Sequence, residues 1–432
     1  MTHVFIAMTV TSVWLCVACG GGQSGPRPAP TSVGNTASGG GAVTVGGGGA
    51  ASSGAAQSGG GVMSAGGGAA AGGGGVVNVT PTTLADGAVS AADPHLRFYG
   101  RWDLSDPAHP AASWGPVAIR LRFESRAIAL DLMDDAVDLG DEGKGNAYQF
   151  RIDDGDFQRL GPGVLPGMQL ASELSPGAHE VLLVRRTESK WGKTRFGGFK
   201  LDAGAHLLDP PSEPTRRIEV FGDSISAGLA NENTGPYTNA TENGYLAFGP
   251  TLARKLDAEW RVEARGGGSF YNDFYLPMVP FFERTYGPEN KQNAPAADNP
   301  PWRFEPWQPD LLVVALGTND FSEQYPHIEQ AAYVSKHQAF LRTLRGHYPH
   351  TEIVCLAPFK PGAPWDEARS YIAASVADLG DAHIHAVDPT TPSAWLTFPD
   401  DYVSGDAFHP NIAGHEKIAT ELALVAKAAL GW

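Results

Sequence analysis

Cysteine is scarce in this 432-residue chain: there are three, Cys16, Cys19 and Cys355. The first two lie in an apolar segment at the start, which leaves Cys355 alone in the body. One cysteine excludes an internal disulfide there, and a cysteine-based metal site with it. Cys355 sits in the apolar, strand-like run Glu352-Ile353-Val354-Cys355-Leu356 and reads as a buried structural thiol rather than a nucleophile. Positive charge is also short, with 31 Lys and Arg against 47 Asp and Glu and a formal net charge of −16. A surface that acidic repels phosphate backbones and anionic lipid, which argues against a nucleic-acid partner. It is compatible with a neutral polymer as substrate.

Charge of either sign is almost missing from the first 80 residues, which hold Arg27 and no Asp or Glu. Val4 to Ala18 is an apolar stretch of the length of a signal-peptide core, too short to span a membrane comfortably. Val17-Ala18-Cys19 resembles the small-residue cleavage site of bacterial lipoproteins, which implies Cys19 as the lipidated residue and a possible membrane tether. Plain secretion with cleavage near Ala18 is the alternative. Residues 20–80 are Gly, Ala, Ser, Thr and little else, with Pro26, Pro28 and Pro30 near the start. Such a composition buries no core and predicts a flexible tether. The domains expected are thus a leader over 1–19, a linker over 20–80, and folded units over 81–211 and 215–432.

From Thr80 to Pro211 the pattern is period two. Val117, Ile119, Leu121 and Phe123 alternate with Ala118, Arg120 and Arg122, and Ile128, Leu130 and Leu132 with Ala129 and Asp131. Turns intervene at Asp153-Asp154-Gly155-Asp156 and Ser175-Pro176-Gly177. Short alternating runs between turn signals predict an antiparallel sandwich, and the jelly roll is the expected member of that class. Past Thr215 the pattern changes to strand, helix, strand. Pro309 to Leu316 is nearly continuous apolar sequence, as for a parallel strand covered on both faces. Thr351 to Ala357 and Ile384 to Val387 read as further strands, and Ala331 to Arg345 as a helix. In the last segment Ile418, Leu422, Val425 and Ala429 fall at helical spacing. The alternation predicts a doubly wound, flavodoxin-like parallel sheet. Phe281 to Pro309, rich in Pro, Asn and Trp, is expected to be a surface insertion beside the site.

Three blocks carry candidate chemistry. The apolar Ile218-Glu219-Val220-Phe221 stops at Gly222-Asp223-Ser224, which presents a serine hydroxyl at the carboxyl end of a sheet. Serine alone is a poor nucleophile at neutral pH and needs a base and an oxyanion site. Leu316-Gly317-Thr318-Asn319-Asp320 closes a second buried strand, and Asp406-Ala407-Phe408-His409-Pro410-Asn411 lies near the C-terminus. In that order the blocks resemble those of the SGNH (GDSL-type) hydrolases. Phe98-Tyr99-Gly100-Arg101-Trp102 and Phe196-Gly197-Gly198-Phe199 in the preceding domain narrow the likeness. The whole is similar to family 2 of the carbohydrate esterases, which join a jelly roll to an SGNH domain.

The resemblance implies ester hydrolysis through an acyl-enzyme, with removal of O-acetyl groups from plant-wall polysaccharides such as xylan and glucomannan, and no metal or cofactor. It implies Ser224 as nucleophile and first oxyanion donor, and His409 as the base. Asp406 would orient His409; a backbone carbonyl does so in some relatives. Gly266, in Arg265-Gly266-Gly267-Gly268, is the preferred second donor with Gly268 as the alternative, and Asn319 is the third. Asp320 is expected to fix its loop and is also a candidate substrate contact. Trp302, Trp307, Trp365 and Trp395 are candidates to stack on a sugar ring, Trp365 first. Arg101 and Trp102 are candidates to line the cleft. His415, the rival base, falls inside the last helix. Two other readings use the same residues: an esterase or thioesterase for lipid or small acyl groups, and an inert carbohydrate-binding surface protein.

Overall fold

The computed structural model describes residues 82–160, 166–233, 237–271, 276–289, 294–321 and 327–432. The expected leader, Cys16, Cys19 and the Gly-rich tether lie outside these residues. No helix among the described residues is long and apolar enough to cross a membrane.

The N-terminal part is a sandwich of two antiparallel sheets. One holds Thr82–Thr83, Arg97–Tyr99, Val117–Glu124, Tyr148–Ile152, Gln158–Leu160, Ala178–Arg185 and His206–Leu207; the other holds Ala88–Ser90, Ala111–Ala112, Ile128–Asp134, Met168–Ala171 and Thr194–Leu201. Apart from the hairpin of Tyr148–Ile152 and Gln158–Leu160, successive strands pass between the sheets, so the connections cross the sandwich. Val117, Ile119, Leu121 and Phe123 all point inward, and meet Leu130, Leu132, Phe196 and Phe199 of the facing sheet. The opposite face of the first sheet is not left to water. Tyr99, Ala118, Leu182 and Val184 join the core of the following domain, and Tyr99 stacks on Trp260 at 6.2 Å between centroids. That second burial explains why Leu182 and Val184 are apolar at positions that alternation alone assigns to solvent.

The C-terminal part opens with β1 (Arg216–Gly222), α1 (Ser224–Ala227), α2 (Phe248–Lys255) and β2 (Ala258–Ala264). A short α3 (Val279–Phe282) and β3 (Leu311–Ala315) follow. The chain closes with α4 (Gln330–His347), β4 (Glu352–Leu356), α5 (Trp365–Leu379), β5 (Ile384–Val387) and α6 (Ile412–Leu430). The five strands of the main sheet are all parallel, in the order β2-β1-β3-β4-β5. This is the doubly wound order in which ligands bind beyond the carboxyl ends of the central strands. Helices α2 and α6 cover one face; α4 and α5 cover the other. Gly222 of β1 lies level with Ala264 of β2 and with Ala315 of β3. The turns that leave these three strands therefore emerge side by side.

Two expectations are corrected. The described part of Phe281 to Pro309 is not wholly a surface insertion: Phe281, Phe282 and Phe304 belong to the second domain's core, and Trp307 is buried as well. Strand β2 was not legible, because Glu259, Arg261 and Glu263 alternate along it. Their partners are distant in sequence. Trp307 Nε1 donates to Glu259 at 2.7 Å, and Arg101, which comes from the sandwich, pairs with Glu263 at 3.2 Å and with Glu219 of β1 at 3.1 Å. Arg101, Glu219 and Glu263 side chains are all 0% exposed. Arg101 also donates to the carbonyls of Phe282 at 2.7 Å and Arg284 at 2.8 Å. Neither Arg101 nor Trp102, which is buried as well, lines a cleft.

Candidate active site

Strand β1 delivers Ser224 to the sheet's carboxyl edge through a sharp turn. Gly222 is required there, since a Cβ would lie 2.1 Å from Ser226 Oγ. Asp223 follows in extended conformation and caps α1, its carboxylate accepting from Ile225 N–H at 3.0 Å. Burial raises the Asp223 carboxyl to about 6, against the pull of that N–H and of the His409 charge. Ser224 is 8% exposed, so its hydroxyl faces a crevice rather than bulk water.

The loop before α6 brings in the base. Its path is pinned by the Val403 N–H to the His409 carbonyl at 2.9 Å and the Asp406 N–H to the Val403 carbonyl at 2.9 Å. His409 Nε2 stands 2.9 Å from Ser224 Oγ, and His409 Nδ1 stands 2.6 Å from Asp406 Oδ2. The other oxygen, Asp406 Oδ1, accepts from the Phe408 N–H at 2.7 Å and from the His409 N–H at 3.3 Å. Desolvation would raise Asp406, but the bond and charge of His409 outweigh it and hold the carboxyl below its usual value. With Nδ1–H committed to Asp406, Nε2 is left as the acceptor for the serine proton. His415, in α6, is buried with Nδ1 accepting from the Phe248 N–H at 3.2 Å, and burial lowers it to about 3. It takes no part in this line.

The second donor is corrected. The Gly266 N–H is taken by the Glu188 carboxylate, and the Gly268 N–H donates to the Arg265 carbonyl at 2.9 Å. Between them Gly267, at φ +74°, has no acceptor for its N–H among the described residues. The turn lies against Asp223, whose Cα is 3.4 Å from where a Gly268 Cβ would sit. Asn319 Nδ2 donates to the Gly268 carbonyl at 2.8 Å, which ties the turn after β3 to the turn after β2 and leaves its second N–H uncommitted. Asp320 is buried, and accepts from the N–H groups of Phe270 at 2.8 Å and Tyr271 at 2.6 Å. It staples loops and is out of reach of a substrate.

Burial removes Trp365 and Trp307 from the tryptophan candidates, while Trp302 and Trp395 are half-buried. Trp365 is 3% exposed, because it opens helix α5 and turns inward, Nε1 donating to the Thr318 carbonyl at 3.3 Å. Trp307 is buried too. Trp302 lies under the Arg101 guanidinium at 4.7 Å, and Trp395 packs toward Phe359. The aromatic beside the base that does reach solvent is Phe408, at 37%. Its edge meets Trp365, and Lys360 Nζ stands 3.8 Å over its ring. Phe408 was overlooked although it precedes His409 directly. Glu188 was overlooked as well, and the only signal for it was a dense polar run after a strand. Cys355 is buried in β4, which pushes its thiol up to about 12 and makes it inert.

Comparison with known proteins locates the chain. The carbohydrate esterase 2 N-terminal model matches residues 98–211, and the GDSL-like lipase/acylhydrolase model matches residues 220–417. Cellulase/esterase CelE of Acetivibrio thermocellus is 28% identical over 351 residues, 79% of this chain and 40% of that protein. The chain thus spans less than half of that relative. An acetylxylan esterase / glucomannan deacetylase of Cellvibrio japonicus is 25% identical over 358 residues, 76% of this chain and 89% of the relative. The solved structure of a family two carbohydrate esterase from Clostridium thermocellum in complex with cellohexaose is 28% identical with a TM-score of 0.66. The match covers 78% of this chain and 99% of that one.

Proposed function

We propose, for a chain that joins a carbohydrate esterase 2 N-terminal domain to a GDSL-like acylhydrolase domain, the function of a serine esterase that removes O-acetyl groups from plant-wall polysaccharide. One observation carries it: the hydrogen-bonded line Asp406–His409–Ser224 at the carboxyl edge of a parallel sheet. The relatives' names, which include acetylxylan esterase and glucomannan deacetylase, support acetylated xylan or glucomannan as the substrate class.

Ser224 Oγ attacks the acetyl carbonyl while its proton passes to His409 Nε2. Asp406 balances the imidazolium. The carbonyl oxygen, now an anion, takes the N–H groups of Ser224 and Gly267 and the free side-chain N–H of Asn319. The sugar oxygen leaves with the proton from Nε2, and the acetyl group stays on Oγ. Water then attacks, gives its proton to Nε2, and acetate departs as Ser224 recovers its own. Phe408, which is exposed, and the half-buried Lys360 over its ring are the groups placed beside the base to meet the polymer. The apolar leader and Gly-rich tether support an exported enzyme, and Cys19 supports a lipid anchor.

Acetate release from acetylated xylan and acetylated glucomannan tests this, with a long-chain nitrophenyl ester alongside. Wild type should release acetate and Ser224→Ala should lose at least about a hundredfold in rate. Cleavage of the long-chain ester alone would refute the substrate, and no turnover of any of them would refute the esterase.

A further inference from the structure

The run Arg185-Arg186-Thr187-Glu188-Ser189-Lys190-Trp191 is the most polar buried stretch of the sandwich, and each of its residues is buried. Charged side chains are rarely buried fully unless paired, so the partners say what the run is for. Several lie in the other domain. Arg186 donates to Glu232 and to the Ala240 carbonyl at 3.0 Å. Ser189 Oγ donates to the Pro288 carbonyl at 2.7 Å.

Glu188, 0% exposed, reaches furthest. One carboxylate oxygen accepts the Gly266 N–H and the other accepts Arg265 Nη1 at 3.2 Å. Arg265 Nη1 also donates to the Gly266 carbonyl at 2.7 Å. Both faces of the Gly266 peptide region are therefore held by one buried ion pair. Glu188 is itself fixed from behind. Its N–H donates to Glu242 Oε1 at 2.5 Å, its carbonyl accepts from Arg185 Nη2 at 2.8 Å, and Glu242 Oε2 accepts from Trp191 Nε1 at 3.2 Å and Tyr237 at 2.8 Å.

The geometry points to Glu188 of the sandwich as a positioning residue for the oxyanion site: by holding Arg265 and Gly266 it keeps the Gly267 N–H aimed at the developing anion. This inference rests on the esterase reading above. Three successive glycines make a turn of high intrinsic freedom, and an oxyanion donor acts through being fixed before the reaction. Glu188 removes part of that freedom through its bonds to Gly266 and Arg265. Its charge alone would oppose an oxyanion nearby, and Arg265 neutralises it.

Kinetics of the full chain with p-nitrophenyl acetate, together with inhibition by methylboronic acid, test the role. The boronate forms a tetrahedral serine adduct with an oxygen in the oxyanion position. Glu188→Ala should lower kcat by about 30- to 100-fold, within the range for losing one oxyanion donor, with KM within about threefold and boronate affinity falling in parallel. Glu188→Gln keeps an acceptor for Gly266 but sets an amide N–H against Arg265, and should lose about three- to tenfold by the same pattern. If Glu188→Ala does not fold, the glutamine variant decides by itself. A folded variant with wild-type kcat, or a kcat loss without loss of boronate affinity, overturns the proposal. Absence of turnover by wild type would instead overturn the esterase reading on which it stands.

Discussion

Replacing Asp406 by asparagine should cost more than replacing it by alanine. Asp406 Oδ1 accepts from the backbone N–H groups of Phe408 and His409 at 2.7 and 3.3 Å, while Oδ2 meets His409 Nδ1 at 2.6 Å. In Asp406→Asn the amide oxygen must occupy the first site, because two N–H donors face it. The amide NH2 is then pressed against Nδ1, which can only accept. Nε2 is forced to carry the proton and presents N–H, not a lone pair, to Ser224 at 2.9 Å. The tautomer is wrong for catalysis, and kcat should fall about 10³- to 10⁴-fold, the loss seen when a triad carboxylate is made an amide. Asp406→Ala leaves room for water beside Nδ1 and lets the right tautomer persist, at a loss of about 10- to 100-fold. The assay is kcat on p-nitrophenyl acetate and on acetylated xylan, with folding checked by circular dichroism. Equal rates for the two variants, or an alanine variant as inactive as Ser224→Ala, would refute the argument.

Substitutions at two other residues probe neighbours of the site. Burial takes the Asp223 carboxyl from 3.8 to about 6. The folded state thus binds this proton more tightly than the unfolded state, so the stabilisation is present below about pH 4 and is lost as pH rises through about 6. Relative to Asp223→Asn, wild type should lose about 3 kcal/mol between pH 4 and 7.5, two pKa units at about 1.4 kcal/mol each. Urea midpoints at those pH values measure this, and a constant difference would show a carboxyl with its ordinary affinity. Trp365→Ala should cost about 3 to 5 kcal/mol of stability, as for other large buried side chains, whereas Trp365→Phe should keep KM for acetylated xylan within about threefold. A tenfold rise in KM in a stable Trp365→Phe would restore the sugar-stacking role.

The sequence made legible what depends on residues close along the chain. β1, β3 and the strand at Ile384–Val387 are apolar runs that read directly as buried parallel strands, and the blocks around Ser224, Asn319 and His409 follow such runs or precede the last helix. Their meeting at one edge comes from the level ends of β1, β2 and β3. The rest depended on distant partners. β2 carries Glu259, Arg261 and Glu263 and reads as exposed until Arg101 and Trp307 are placed beside it. Gly266 is the natural donor by position, and is disqualified by Glu188 from the other domain. Trp365 follows Pro364 in a stretch that reads as loop, yet it begins α5 and faces the core. Composition says nothing about which way the first turn of a helix points.

Arg101 has a consequence for how such chains can be recombined. It leaves the sandwich to sit between Glu219 and Glu263, with all three side chains closed off from water. Exchange of the sandwich for one with an apolar residue there would leave the buried Glu219 and Glu263 side chains without this guanidinium. Removing one side of a buried ion pair costs about 3 to 5 kcal/mol, a large part of a typical stability of about 5 to 15 kcal/mol. The bared Leu182 and Val184 would add to the loss. A shuffled library of the two halves should therefore be sorted first by whether this guanidinium finds Glu219 and Glu263.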